Sequence, residues 1–148
     1  MATFTQTQGP RSPSVLNMGT LANGTYIASA AIDLGSVIPL DVTLEVECDP
    51  SGTPAGNRQL ILFAKLSLDN TNFGSGPESG TTATEEADLH WIGSMPCNDT
   101  NIHRKFFSLQ GLPITRYLKL VVKNDTGVAL TSGNVYRADI TGLSTQTV

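Results

Sequence analysis

Histidine and cysteine are both scarce, with two of each among 148 residues. A zinc site needs about four Cys or His ligands at short paired spacings. His90, His103, Cys48 and Cys97 stand apart from one another, so zinc is not expected. A Ser or Cys nucleophile needs a positioned base. His90 precedes Trp91 and His103 leads a strand-like run, and neither comes with a Gly-x-Ser-x-Gly elbow or a Cys signature. Both read as structural or surface histidines. No Gly-x-Gly-x-x-Gly and no Walker pattern offers a seat for a nucleotide. The expectation is therefore a chain with no catalytic residue, no cofactor and no metal.

Charge is also low. Asp, Glu, Lys and Arg make up 15% of the chain and the formal net charge is −4. Phosphate neutralisation needs clustered cations, whereas here His103-Arg104-Lys105 is the nearest thing to a cluster and reads as a solvated strand end. Nucleic acid is not an expected partner. No run approaches the ~18 apolar residues of a membrane span, and Met1 to Gln6 has neither the basic nor the apolar region of a signal peptide. Synthesis in a cytoplasm without a membrane partner is expected, with Cys48 and Cys97 as free buried thiols. Helical periodicity is missing throughout.

What is present is alternation with a period of two, the mark of strands with one face in a core. In residues 41–48, Val42, Leu44, Val46 and Cys48 face one way while Asp41, Thr43, Glu45 and Glu47 face the other. Glu45 and Glu47 could be taken for a glycosidase carboxylate pair, but a wet strand face accounts for them. Residues 58–68 carry Leu60, Leu62, Ala64, Leu66 and Leu68 on one side and Ile61 and Phe63 on the other. That strand is expected to be central or covered by a partner. Further strands are predicted at 26–34, 89–95, 105–109, 117–123 and 135–141, bounded by Gly, Pro, Asn and Asp. The fold class expected is all-β: a two-sheet antiparallel sandwich of jelly-roll or Greek-key type, with seven or eight strands.

Residues 1–23 are punctuated by Gly9, Pro10, Ser12, Pro13 and Asn17 and read as an extended N-terminal arm, leaving 24–148 as the sandwich. The gap at 69–88 is rich in Gly, Ser, Thr and acids, and loops of that length are usually functional or mobile. Partner contacts are expected on these two segments, at Phe4, Pro10, Arg11, Pro13 and Leu16 of the arm and at Phe73, Glu85 and Glu86 of the loop. Asp69, Asn70, Asn72 and Glu78 could offer hard oxygens to calcium, but Asx turns look the same and are the better reading. Asn23-Gly24-Thr25, Asn98-Asp99-Thr100 and Asn124-Asp125-Thr126 read as turns rather than glycan acceptors. Trp91 with Tyr26, Tyr117 or Tyr136 could form a sugar-binding platform, against which core packing is the plainer expectation.

The run Phe106-Phe107-Ser108-Leu109, then Leu112-Pro113, Arg116 to Asn124, Gly127-Val128-Ala129-Leu130 and Gly133-Asn134-Val135-Tyr136, resembles small structural proteins of tailed bacteriophages. The likeness extends upstream through Leu66-Ser67-Leu68-Asp69-Asn70 and covers roughly half of the chain. Such proteins are β-sandwiches of the capsid cement or decoration type. The resemblance implies a virion protein, assembled in the host cytoplasm, that clamps neighbouring major capsid subunits and meets copies of itself. A head-to-tail or tail accessory protein, or a carbohydrate-binding sandwich with weak glycan affinity, are the alternatives.

Overall fold

The structure is a computed structural model that describes the backbone of residues 2–146 and the side chains of 5–142. It is built from β1 (Ala2–Gln8), β2 (Leu16–Asn17), β3 (Tyr26–Ala28), β4 (Ile32–Asp33), β5 (Asp41–Pro50), β6 (Gln59–Ser67), β7 (Ser79–Gly80), β8 (His90–Pro96), β9 (His103–Ser108), β10 (Tyr117–Asp125) and β11 (Leu130–Gln146). Among the described residues the one helical turn is a 3-10 turn at Glu86–Asp88. Every strand pairing is antiparallel.

The strands form two sheets. In the first the order is β1-β11-β5-β9, with β2 also on β11; in the second it is β7-β3-β10-β6-β8, with β4 also on β10. Merging β1 with β2 and β3 with β4 leaves eight chain-order strands besides the short β7. Their order is first-eighth-third-sixth in one sheet and second-seventh-fourth-fifth in the other, the arrangement of a jelly roll. The predicted all-β sandwich is observed, and its topology is that of the jelly roll.

Simple alternation places the core. Along β5 the burial alternates residue by residue, putting Val42, Leu44, Val46 and Cys48 inside. Leu60 and Leu62 of β6, Leu118, Leu120 and Val122 of β10 and Val135 of β11 meet them between the sheets. Each such side chain contributes roughly 1.5–3 kcal/mol by leaving water. One open side of the sandwich is closed where β8 meets β9. A Cβ on Gly93 would lie 2.5 Å from the ring of Phe107, so only glycine lets that ring approach.

Two expectations change and one is resolved. The predicted strand at 26–34 is split at Ser29, whose N–H still donates to the Leu120 carbonyl at 2.8 Å while its hydroxyl takes the Leu120 N–H at 2.9 Å, and the regular ladder resumes at β4. A side chain acting as acceptor leaves room for a kink. The doubly apolar β6 is central, as one of the two expected alternatives had it, between β10 and β8, and on its outer face Leu89 packs on Phe63 while Lys65 donates to the Gly76 carbonyl of the chain's own 69–88 loop. The arm is extended as expected, yet it is no free appendage. The N–H groups of Gly9, Ser12, Val15 and Met18 donate to carbonyls of Asp139, Arg137, Val135 and Gly133, each at 2.8 Å.

Candidate functional site

The arm is stitched to β11, and toward its end its side chains turn into the body. Leu16 and Met18 enter the main core at 5% and 2% exposure. Leu16 was expected to meet a partner; burial removes it from that role. Pro10 and Pro13 are exposed. The Phe4 side chain lies outside the described residues.

Arg11 stacks on the Tyr136 ring at 3.5 Å and pairs with Glu45 at 2.8 Å. Glu45 also meets Arg104 at 3.0 Å, and Arg104 reaches Glu47 as well. The hydrogen bond to Glu47 raises the Arg104 pKa. The wet strand face read from the sequence is therefore a chain of alternating charges on the outside of the first sheet. Both carboxylates are held by arginines.

The 69–88 loop lies on the outer face of the second sheet. That face carries Phe63 and Val121, which with Tyr26 and Leu89 form a small second core. Lys65, Lys119 and Lys123 surround it. Glu78 of the loop receives Lys119 at 3.0 Å and Lys65 at 3.2 Å, while Glu86 meets Lys123 at 3.4 Å. Burial pushes the Glu78 pKa up, but the hydrogen bonds from Lys119 and Lys65 outweigh it and hold it below the usual value. Phe73 lies under Lys119, 4.7 Å from ring centre to ammonium. Glu85 is exposed with a left-handed φ of 62°.

Asp69 closes an Asx turn, accepting from Thr71 and Asn72 N–H groups at 2.9 and 2.8 Å and from the Asn72 amide at 2.6 Å. These bonds from Asn72 and Thr71 hold its carboxyl well below the ordinary range. The turn reading of this segment fits the geometry. Phe73 and Glu86, expected to face a partner, have partners within the chain.

A contiguous apolar surface lies elsewhere, at one end of the sandwich, apart from the exposed Trp91, Ile102 and Phe106. Leu34, Leu66, Leu109, Leu112 and Leu118 line a cleft of about 230 Å³ that opens there. Around its mouth Ile38, Leu40 and Ile114 project, with Ile114 82% exposed. Val37 belongs to the same β4–β5 loop and is 88% exposed; Leu68, on an adjoining hollow that shares Leu66, Pro113 and Thr115, is 84% exposed.

Beside this end a two-stranded ribbon leaves the body. β5 pairs with β11 only as far as Ile140, whereas β1 follows β11 to Gln146. Leu40 packs at the ribbon's base, where a Cβ on Gly142 would fall 2.7 Å from it. Among the described residues, the edge of β11 that faced β5 has no strand beside it over 141–146, and the outer edge of β1 has none. The sequence pattern did not single out Val37, Ile38, Leu40 or Ile114, and it set Leu68 on the inner face of its strand, whereas β6 ends at Ser67 and Leu68, one residue past the ladder, is 84% exposed. The signal available was apolar residues inside proline-marked turns, Val37-Ile38-Pro39-Leu40 and Leu112-Pro113-Ile114, where no strand face requires them.

Trp91 is 62% exposed on the edge strand β8, against the core packing expected of it. Tyr26 is buried, and Tyr117 and Tyr136 are half-covered by Arg116 and Arg11. Comparison with known protein families and with curated proteins finds no match for the sequence.

Proposed function

We propose that the chain is a structural binding protein of the capsid cement or decoration type, holding neighbouring shell subunits through the apolar end of its sandwich and the adjoining ribbon. The observation that carries this reading is the cluster of Ile38, Leu40 and Ile114 around an open cleft, with Leu68 on the adjoining hollow and the exposed Val37 next to Ile38 in the chain. Exposed apolar groups gathered in one patch, rather than scattered, mark interaction surfaces. The ribbon adds main-chain donors and acceptors that an extended partner segment can pair with, as in β-strand addition. Resemblance of the C-terminal half to phage structural proteins supports the class of partner. The jelly roll is in keeping with it by analogy alone, since that fold also serves lectins and enzymes.

Quantitative mass spectrometry of purified particles tests the reading. A shell protein is present in hundreds of copies and a connector or tail accessory part in about a dozen or fewer, following from the symmetry of such assemblies. Absence from particles rejects both. A second reading, glycan binding, is favoured by the exposed Trp91 ring, because sugar faces stack on such rings. It predicts that a glycan array gives a signal that Trp91→Ala abolishes. An empty array removes it.

A further inference from the structure

Cys48 and Cys97 are the chain's two cysteines, and both are completely buried. Cys48 lies in β5 of the first sheet. Cys97 directly follows β8 of the second, and its N–H donates to the Arg58 carbonyl at 2.7 Å. Their sulfurs are 3.4 Å apart across the interior, although 49 positions separate them in sequence. Cys97 Sγ also lies 3.6 Å from the Met95 carbonyl. With the Cys97 S–H directed to that carbonyl, the Cys48 S–H points to the Cys97 sulfur. This bond lowers the Cys97 pKa and raises that of Cys48, assigning Cys97 as the sulfur that more readily becomes a thiolate.

We propose that Cys48 and Cys97 form an oxidation site, closing to a disulfide that staples the two sheets when the protein meets a small-molecule disulfide. The Cys97 thiolate attacks one sulfur of the small disulfide RSSR, giving a mixed disulfide and releasing one RS⁻, which takes up a proton. Cys48 then loses its proton, and its sulfur attacks Cys97 Sγ and expels the second RS⁻. Two protein thiols are oxidised, one RSSR is reduced, and two RSH leave. Exchange follows this order because the lower-pKa thiol supplies the attacking thiolate. The exposed turn 98–102 beside Cys97 is the segment whose opening admits the reagent.

Closing the sulfurs from contact to bonding distance asks for a movement of little over an ångström. The bond would constrain the unfolded chain over a long loop and so raise stability. It would leave the outer surface unchanged. The inference therefore stands or falls separately from the proposed docking role.

The test uses the full chain, purified reduced, then incubated with oxidised glutathione in native buffer and again at a urea concentration just below unfolding. Expected is a monomer lighter by two hydrogens, a Cys48–Cys97 linked peptide on digestion, and a Tm raised by roughly 5–10 °C, all reversed by dithiothreitol. Cys48→Ala and Cys97→Ala should each show no such rise. Thiols that stay free in both conditions, or a stable mixed disulfide at Cys97 that Cys48 never resolves, would overturn the proposal. So would a closed disulfide that leaves Tm unchanged or lowers it.

Discussion

Asn124 is fully buried, and each polar group of its side chain is used. The amide nitrogen donates to the carbonyls of Leu21 and Val128 at 2.9 Å, and the oxygen accepts from the Thr126 N–H and hydroxyl at 3.0 and 2.7 Å. One residue thus ties the end of the arm to the β10–β11 turn. Asn124→Ala should cost about 2–4 kcal/mol in urea unfolding, because it strands buried partners without replacing them. Leu16→Ala should cost about 2–4 kcal/mol as well, through the cavity it leaves between arm and sheets. Pro13→Ala, on the exposed side of the same arm, should stay within about 0.5 kcal/mol. Equal and negligible effects at Leu16 and Pro13 would return the arm to the status of a loose appendage.

The 69–88 loop is held to the second sheet by carboxylates against lysines, and this makes its attachment dependent on pH. Glu78 is depressed in the folded state, as is Asp33, which the Arg116 hydrogen bond and the Gly35 N–H bring down to about 2. A depressed carboxylate contributes stability above its unfolded pKa and loses it as pH falls through the folded value. Tm should therefore be flat above about pH 5 and decline from there toward about pH 2. Glu78→Gln should lower Tm at neutral pH and make the acid decline shallower, because the titrating tether is gone. An unchanged acid slope in that variant would mean that Glu78 does not hold the loop. Amide hydrogen exchange in 74–88 should quicken in the same variant while that of β5 and β10 does not.

For the molecule as a whole, the location of the binding end can be separated from its stability. Val37→Glu with Ile114→Glu should leave Tm within a degree or two, since both side chains are exposed and surface changes are usually mild. The same pair should weaken attachment to particles at least tenfold, read by co-sedimentation. Removing residues 2–8 should keep the fold and reduce particle binding, whereas removing 2–20 should unfold it by taking Leu16 and Met18 out of the core. Alternation of apolar and polar residues was enough by itself to determine the all-β class, seven of the strand positions, the wet face at Glu45 and Glu47 and the inner face of β6. Period-two patterning depends only on the pleat, which is local. Tertiary structure alone decided that the arm completes a sheet, since its extended Pro- and Gly-marked sequence looks the same whether paired or free. It alone decided that Leu89 packs on Phe63 at the outer face of β6, that Trp91 stands out on an edge, and that Val37, Leu68 and Ile114 share one end. These depend on which strands lie side by side and which connections cross between sheets. Residues far apart in sequence meet there only because a long-range ladder brings them together, as it does Cys48 and Cys97.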